Sequence, residues 1–211
     1  MKLLIAVPSF DTMRAEFVRS LMELTGWLWE NQVQHEVKIL TGTLVYGARD
    51  KLARHAIKNK FDEVLWIDSD MVFDRHLYED LKMSGKDMIC GWFISRHYPY
   101  VSCLLSSVDP IARIDDPPEE AFEITACGFG CVLMKTKILE DVMNNHNGKC
   151  FLPEQQRGED VAFCMRAKGC GYRIWCEPSA RVGHVGSVII WPEDAPRLRG
   201  EIQGLDGKKI E

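Results

Sequence analysis

The chain has 211 residues, of which 46% are hydrophobic and 27% are charged, and its formal net charge is −5. This length fits one compact domain with its own core and is short for two independent domains. The composition is that of a globular protein, which argues against a disordered or integral membrane chain. The negative charge argues against binding of a nucleic-acid backbone over a large face, because such binding uses clustered Lys and Arg.

The cysteines and the N-terminal residues indicate the compartment. Eight cysteines lie scattered between positions 90 and 176, and none forms a CxxC pair. A chain of this size needs no disulfide bonds for stability and shows no secretory leader, so we expect reduced thiols and a cytoplasmic protein. The apolar run Leu3–Val7 stops at Pro8, well short of the ~20 residues that span a bilayer, and predicts no membrane span.

Hydrophobic patterning predicts alternating strands and helices in the first half of the chain. Continuous apolar runs, typical of strands that are buried on both faces, alternate with apolar residues at helical spacing. The predicted elements are a strand at 3–7, a helix at 14–30, a strand at 35–40, a helix at 48–60, a strand at 64–67, a helix at 75–84 and a strand at 88–92.

The second half is less regular. A stretch with four prolines, at positions 99, 110, 117 and 118, is predicted to consist mainly of loops. It is followed by a strand at 132–135, a helix at 136–144 with Thr136 as its cap, a helix at 160–168 and a strand at 172–176. We divide the chain into one domain at 1–190 and a polar C-terminal tail at 191–211.

These elements predict an α/β fold class, with a single Rossmann-like domain whose central sheet is mostly parallel and has helices on both faces. In such sheets, ligands bind at the carboxyl ends of the strands.

An acidic pair, Asp68 and Asp70, follows the buried strand at 64–67 directly. An Asp-x-Asp triplet alone is weak evidence, but this one lies at the strand end where α/β sheets bind ligands. Two carboxylates about 6 Å apart repel each other by roughly 3 kcal/mol at an effective dielectric constant of 20, which favours a bound cation. Mg²⁺ and Mn²⁺ combine one or two carboxylates with substrate phosphates, so the pair predicts a phosphate-bearing substrate. The alternative is a turn-capping Asp68 beside a solvated Asp70.

At this point the chain resembles the GT-A glycosyltransferases and is similar to small bacterial or phage members of glycosyltransferase family 2. The resemblance covers residues 3–186 and rests on the order of six segments rather than on any one of them. These segments are Ile5-Ala6-Val7-Pro8-Ser9, Ala48-Arg49-Asp50, Leu65 to Met71 around the acidic pair, Gly128-Phe129-Gly130, Gly158-Glu159-Asp160 and Gly183-His184.

The resemblance implies a nucleotide site. Pro8 and Ser9 would line the base and ribose pocket, Arg49 would approach the nucleotide, and Ser69 would lie with the acidic pair against the donor. Asp50 replaces a common asparagine, and its carboxylate would still be able to bond ribose hydroxyls. The alternative for Arg49 and Asp50 is an ion pair at a helix end on the surface.

The resemblance also implies a divalent metal, Mn²⁺ or Mg²⁺. Asp70 would be the main ligand, Asp68 would bridge to ribose or metal, and His184 would complete the site. Imidazole binds Mn²⁺ more readily than Mg²⁺. Without the resemblance, His184 would be interpreted as a polar loop residue.

The Glu159-Asp160 pair supplies the expected catalytic groups. In inverting enzymes of this fold, the aspartate of a similar pair removes the proton of the acceptor hydroxyl, which assigns that role to Asp160 with Glu159 beside it. Helix capping is the alternative, because both residues begin a predicted helix.

Three further segments are expected near the donor sugar. Gly128 and Gly130 would let the backbone approach the ligand, and Phe129 would stack on the sugar. Arg96 and Trp92 would face the sugar similarly. Core packing is the alternative for the aromatic rings, but it does not explain Arg96.

We therefore expect a metal-dependent, hexosyltransferase-like glycosyltransferase that uses a nucleoside-diphosphate-sugar, with UDP favoured and inversion expected. Its acceptor hydroxyl stays open among a glycan, a lipid carrier, a protein and a modified nucleobase. One alternative is a nucleotidyltransferase or sugar-phosphate pyrophosphorylase, against which the chain has no Gly-rich phosphate loop after its first strand. Another is a non-catalytic nucleotide-sugar-binding module, against which the Glu159-Asp160 pair argues.

Overall fold

The computed structural model describes residues 1–154, 157–186, 189–194 and 196. Its strands are β1 (Lys2–Pro8), β2 (Gln34–Leu40), β3 (Glu63–Ile67), β4 (Met71–Val72), β5 (Met88–Trp92), β6 (Leu104–Val108), β7 (Ile111–Arg113), β8 (Phe122–Ile124), β9 (Ala126–Cys127), β10 (Cys131–Lys135), β11 (Ile174–Arg181), β12 (Gly183–Val185) and β13 (Ile189–Ile190). Its helices are α1 (Ala15–Glu30), α2 (Val45–Lys58), α3 (Leu77–Met83), α4 (Thr136–Asn145) and α5 (Glu159–Gly169).

The central sheet has seven strands in the order β2-β1-β3-β10-β5-β11-β8 among the described residues. β1 pairs in parallel with β2 and β3, and β5 pairs in parallel with β11, whereas β10 and β8 run antiparallel to their neighbours. Five strands therefore share one direction, which confirms the predicted mostly parallel sheet. Its antiparallel β10 separates β3 from β5.

Helices cover both faces of this sheet, as predicted. In β1, Leu3 and Ile5 belong to the core cluster with α1 and α3, whereas Leu4 and Ala6 belong to the cluster with α2, α4 and α5. The side chains of a strand alternate between faces, so a continuous apolar run is needed where both faces are buried. Within the described part of the chain, no helix has the length and apolar character required to cross a bilayer.

The Pro-containing stretch consists mainly of loops, as predicted, but it also contains short strands. It contributes an antiparallel hairpin of β6 and β7, the short β9 beside β6, and β8 at the sheet edge. Pro110 lies in the turn between β6 and β7, where its restricted φ and missing N–H are tolerated. Pro99 and Pro110 therefore lie in turns, whereas Pro117 and Pro118 lie in the loop between β7 and β8.

The predicted cap of α4 is wrong, and the predicted C-terminal tail lies only partly within the described residues. Lys135, not Thr136, is the N-cap of α4, and the buried Oγ1 of Thr136 has no hydrogen-bond partner among the described residues. In the predicted tail, 192–194 form one turn of 3-10 helix, and Glu193 pairs with Arg181 at 2.8 Å. Residues 195 and 197–211 of the tail lie outside the described residues, so the boundary at 190 stays a prediction.

Phe129 is a core residue. It is 2% exposed, and its ring centroid lies 6.1 Å from that of Trp66, 5.2 Å from that of Phe151 and 5.1 Å from that of Phe163. The edge-to-face arrangement is typical of packed aromatic clusters. The stacking on a sugar that the resemblance implied is therefore not supported, because the ring is enclosed by other rings.

We predict that Phe129→Ala lowers the free energy of unfolding by about 3–5 kcal/mol, the range for an aromatic ring removed from a packed core. The matched control is Phe10→Ala, because Phe10 is 73% exposed and we expect a change within about 0.5 kcal/mol. Urea denaturation of both variants measures the difference. Equal, small losses would contradict the assignment of Phe129 to the core.

Candidate functional site

The carboxyl ends of β1 and β3 lie side by side at one edge of the sheet, because the two strands are parallel neighbours. β1 ends at Pro8 and β3 ends at Ile67, so the segments 9–14 and 68–70 leave the sheet together. This is the edge at which α/β sheets bind ligands.

An open cleft of about 360 Å³ occupies this edge, and its volume is within the range of small-molecule sites. Six residues predicted for the site line it, namely Pro8, Ser9, Asp68, Ser69, Asp70 and Arg96. Its other walls come from residues that were not predicted, chiefly Phe10, Asp11, Thr12, Arg14, Thr43 and Val45. The position of 10–14 directly after the first strand was the signal that could have identified most of them.

Hydrogen bonds tie the cleft walls to one another. The Ser9 N–H donates to the Leu40 carbonyl at 2.9 Å, and the Gly42 N–H donates to the Phe10 carbonyl at 2.9 Å. The Ser9 hydroxyl donates to the Thr12 carbonyl at 3.0 Å. The Ser9 side chain therefore shapes the loop at 9–12 as well as lining the cleft.

The acidic turn at 68–70 is held by backbone contacts. The Asp68 N–H donates to the Gly130 carbonyl at 3.1 Å, and the Met71 N–H donates to the Asp68 carbonyl at 3.2 Å. A Cβ atom on Gly130 would lie 2.2 Å from Met71 Cε and 2.8 Å from Phe93 Cζ. Gly130 is therefore required by packing around the acidic turn. Neither Gly128 nor Gly130 lines the cleft, in contrast to their expected approach to the ligand.

Arg49 joins the acidic turn to α5. Its side chain is 3% exposed, and its Nη2 donates to Asp68 Oδ1 at 2.8 Å while its Nη1 forms an ion pair with Glu159 Oε1. Its guanidinium carbon lies 5.3 Å from the centroid of the Phe129 ring. Burial alone would lower the pKa of Arg49, but the charges of Asp68 and Glu159 raise it overall.

Asp68 is the half-buried partner of this guanidinium, with a side chain that is 29% exposed. Burial raises the pKa of Asp68, Arg49 opposes the rise, and the neighbouring Asp70 adds to it, so that the net direction is upward. Asp68 therefore has one oxygen committed to Arg49 while the residue also borders the cleft.

Asp50 has a different role from the ribose contact that the resemblance implied. Its Oδ1 accepts the N–H groups of Cys150 and Phe151, each at 3.0 Å. Asp50 does not line the cleft, and neither does Arg49. Both residues connect α2 to other parts of the chain, so the expected nucleotide contacts of this pair are not supported.

Asp70, Arg96 and His184 meet on the other side of the acidic turn. β12 carries His184 and pairs with β4, so the Val185 N–H reaches the Asp70 carbonyl at 2.8 Å. His184 Nε2 lies 3.5 Å from Asp70 Oδ2, and Arg96 Nη1 forms an ion pair with the same oxygen. Burial would raise the pKa of Asp70, but His184 and Arg96 lower it overall.

The other ring nitrogen of His184 has a backbone partner. Nδ1 lies 3.0 Å from the Ile94 carbonyl oxygen. In the tautomer whose Nδ1–H donates to that oxygen, Nε2 presents its lone pair to Asp70 Oδ2. Metal-binding histidines are oriented in this way by a partner for the second nitrogen.

Glu159 and Asp160 begin α5, and Gly158 is its N-cap residue without a side-chain cap. Asp160 Oδ1 accepts the Val161 N–H at 2.7 Å and lies 2.8 Å from the place that a Cβ atom on Gly158 would take. Burial raises the pKa of the Cys103 thiol to about 12, with contributions from Asp160 and Asp68. The charges of Asp160 and Asp68 therefore both reach the Cys103 thiol. Neither Glu159 nor Asp160 lines the cleft.

The described residues contain no group of three or more His, Cys, Asp or Glu side chains placed to hold a metal ion. They do contain a pair, Asp70 and His184, of which Asp70 lines the cleft and His184 does not. Mg²⁺ and Mn²⁺ sites commonly use so few protein ligands, because water and substrate phosphates complete the shell. The residues present therefore fit a divalent ion that binds together with a phosphate-bearing ligand.

No family model matches the chain, and no curated protein matches it by sequence. Solved structures do match. Protein A197 from STIV aligns with a TM-score of 0.62 and 22% identity over 92% of this chain and 91% of that chain. The catalytic domain of Drosophila β1,4-galactosyltransferase 7, in a complex with xylobiose, aligns with a TM-score of 0.51 and 16% identity over 83% of this chain and 64% of that chain.

At these identities the likeness establishes the fold and not the activity. The chain has the GT-A fold that the resemblance implied: a mixed α/β domain whose mostly parallel central sheet is flanked by helices. Its cleft lies at the sheet edge where the sequence placed the acidic pair.

Proposed function

We propose that the protein is a metal-dependent glycosyltransferase that transfers a sugar from a nucleoside-diphosphate-sugar to an acceptor hydroxyl. UDP is the favoured nucleotide and inversion the favoured outcome, both from the resemblance. The glycosyltransferase fold and the cleft at 68–70 support this proposal. The absence of disulfides among the eight cysteines, all of which are described, suits the cytoplasm.

One observation carries the proposal. His184 Nε2 lies 3.5 Å from the Asp70 carboxylate oxygen Oδ2, and Asp70 lines the cleft. A carboxylate and a neutral imidazole nitrogen at this separation suit the coordination of one divalent ion, and Arg96 supplies positive charge to Asp70 in the present arrangement. The same place suits a divalent ion that arrives with the donor diphosphate.

In this proposal, Asp70 and His184 would hold the ion. Asp68 would contact the ribose or the metal, and its ion pair with Arg49 would orient it. When bound, the ion stabilises the negative charge that develops on the departing nucleoside diphosphate. Pro8, Ser9 and Phe10 border the nucleoside, and Arg96 leaves Asp70 to bond a phosphate oxygen.

Asp160 is the proposed general base. It would accept the proton of the acceptor hydroxyl while that oxygen attacks the anomeric carbon, and the bond from that carbon to the diphosphate oxygen breaks. Glu159 would act through Arg49, because its carboxylate is already committed to that guanidinium. The acceptor remains open among a glycan, a lipid carrier, a protein and a modified nucleobase.

We predict that UDP binds in the presence of Mn²⁺ and that Asp70→Asn weakens this binding at least tenfold, or about 1.4 kcal/mol. Asparagine keeps the shape of the side chain but loses the charge that attracts the ion. Isothermal calorimetry with and without Mn²⁺ measures both proteins, and Asp116→Asn, at an exposed position, is the matched control. A UDP affinity that changes neither with Mn²⁺ nor with the substitution would contradict the proposed metal site.

We predict that Arg96→Ala strengthens the binding of Mn²⁺ alone severalfold and weakens the binding of UDP with Mn²⁺. The ion no longer has to displace a guanidinium from Asp70, whereas the diphosphate loses a cation. Paramagnetic resonance of free Mn²⁺ and UDP calorimetry measure the two effects. Arg19→Ala, which removes an exposed i,i+4 ion pair with Glu23, is the control. Weaker binding of Mn²⁺ alone would show that Arg96 does not compete with the ion.

A further inference from the structure

Arg49 and Asp50 are adjacent in α2, and each contacts a segment that is about 100 residues away in sequence. Arg49 bridges Asp68 and Glu159. Asp50 accepts two N–H groups from the segment at 150–151. One turn of helix thus holds the acidic turn, the first turn of α5 and part of the chain that precedes α5.

The segment at 150–154 is also held from α5. Arg166 is 5% exposed and donates to the Cys150 carbonyl at 2.7 Å and to the Leu152 carbonyl at 2.6 Å. It also pairs with Glu154 at 2.5 Å. Asp50 therefore accepts hydrogen bonds from a segment whose carbonyl groups are themselves hydrogen-bonded to Arg166 of α5. Polar contacts thus connect α2 to α5 in two ways, directly through Arg49 and Glu159 and indirectly through the segment at 150–154.

Stability alone is a weak explanation for the Arg49 bridge. Replacing a buried ion pair by apolar residues is often neutral or stabilising. Within the described part of the chain, the buried Nε of Arg49 also has no hydrogen-bond partner. What the planar guanidinium supplies is a fixed angle between two acceptors, which a lysine ammonium cannot reproduce. The geometry of the bridge suits placement of Asp68 relative to Glu159.

We propose that Arg49 and Asp50 are positioning residues that set the first turn of α5, and with it Asp160, relative to the donor side of the site at Asp68. This inference rests on the proposed function, because it assigns the two ends of the bridge to donor and acceptor chemistry. It differs from the nucleotide contacts expected for this pair, since neither residue lines the cleft.

The test compares Arg49→Lys, Asp50→Ala and Asp50→Asn with the wild-type protein, and uses Arg173→Lys at the exposed Arg173–Glu123 pair as the matched control. Each protein is assayed for folding by thermal unfolding, for UDP affinity with Mn²⁺, and for kcat and KM of UDP-sugar hydrolysis or transfer. Hydrogen exchange of the amides at 159–163 supplies a readout that needs no turnover.

We expect Arg49→Lys and Asp50→Ala to keep UDP affinity within about threefold while kcat falls by about 30- to 100-fold, the scale of a misplacement of about 1 Å. Amide protection at 159–163 should fall at least about tenfold, because the contacts of Arg49 and Asp50 hold the start of α5. Asp50→Asn should behave like the wild type, because the amide oxygen still accepts both N–H groups.

Three results would overturn the inference. One is unchanged kcat and unchanged protection in folded Arg49→Lys and Asp50→Ala. Another is a loss of UDP affinity that matches the loss of kcat, which would make Arg49 a donor-binding residue. If Arg49→Lys does not fold, Glu159→Gln tests the same contact, and failure of both to fold would assign the bridge to stability alone.

The wild-type arm separates this inference from the proposed function. A wild-type protein that neither binds UDP nor turns over a UDP-sugar would contradict the proposed function, whatever the variants do. A wild-type protein that does both, with variants that match it in kcat and in exchange, would contradict only the positioning role.

Discussion

The buried guanidinium of Arg49 is the interaction on which the arrangement of the site depends. It lies between Asp68 and Glu159, two carboxylates that are far apart in the sequence, and its side chain is 3% exposed. Removing the guanidinium would leave two largely buried carboxylates without their cation, at a cost of about 3–5 kcal/mol. The acidic turn and the start of α5 are therefore held together, and Asp68 borders the cleft whereas Arg49 does not.

The two aspartates of the acidic turn consequently have different environments. Asp68 is bound to an internal cation and its pKa is raised by burial, whereas Asp70 meets Arg96 and His184 and its pKa is lowered overall. The buried ion pair with Arg49 suits a role of Asp68 in orienting the site. An exchangeable partner suits a residue that takes up an ion with the substrate, and Arg96, whose side chain is 40% exposed, is such a partner.

Much of the fold was predictable because buried strands and amphipathic helices leave local patterns. The run at 64–67 predicted both β3 and the place of Asp68 and Asp70. The antiparallel insertion of β10 between β3 and β5 was not predictable, because an apolar run carries no information on strand direction. The link from Arg49 to Glu159 spans 110 residues and has no local signal. Motif resemblance therefore located these residues but could not assign their contacts.

The most direct test is a crystal structure of the protein in complex with UDP and Mn²⁺. Diffraction data that include the anomalous signal of manganese would locate the ion. The account predicts one strong peak within about 2.5 Å of Asp70 Oδ2 and His184 Nε2, beside the UDP diphosphate, with Arg96 displaced from Asp70. UDP bound elsewhere, or a manganese peak away from Asp70 and His184, would contradict the proposed donor site.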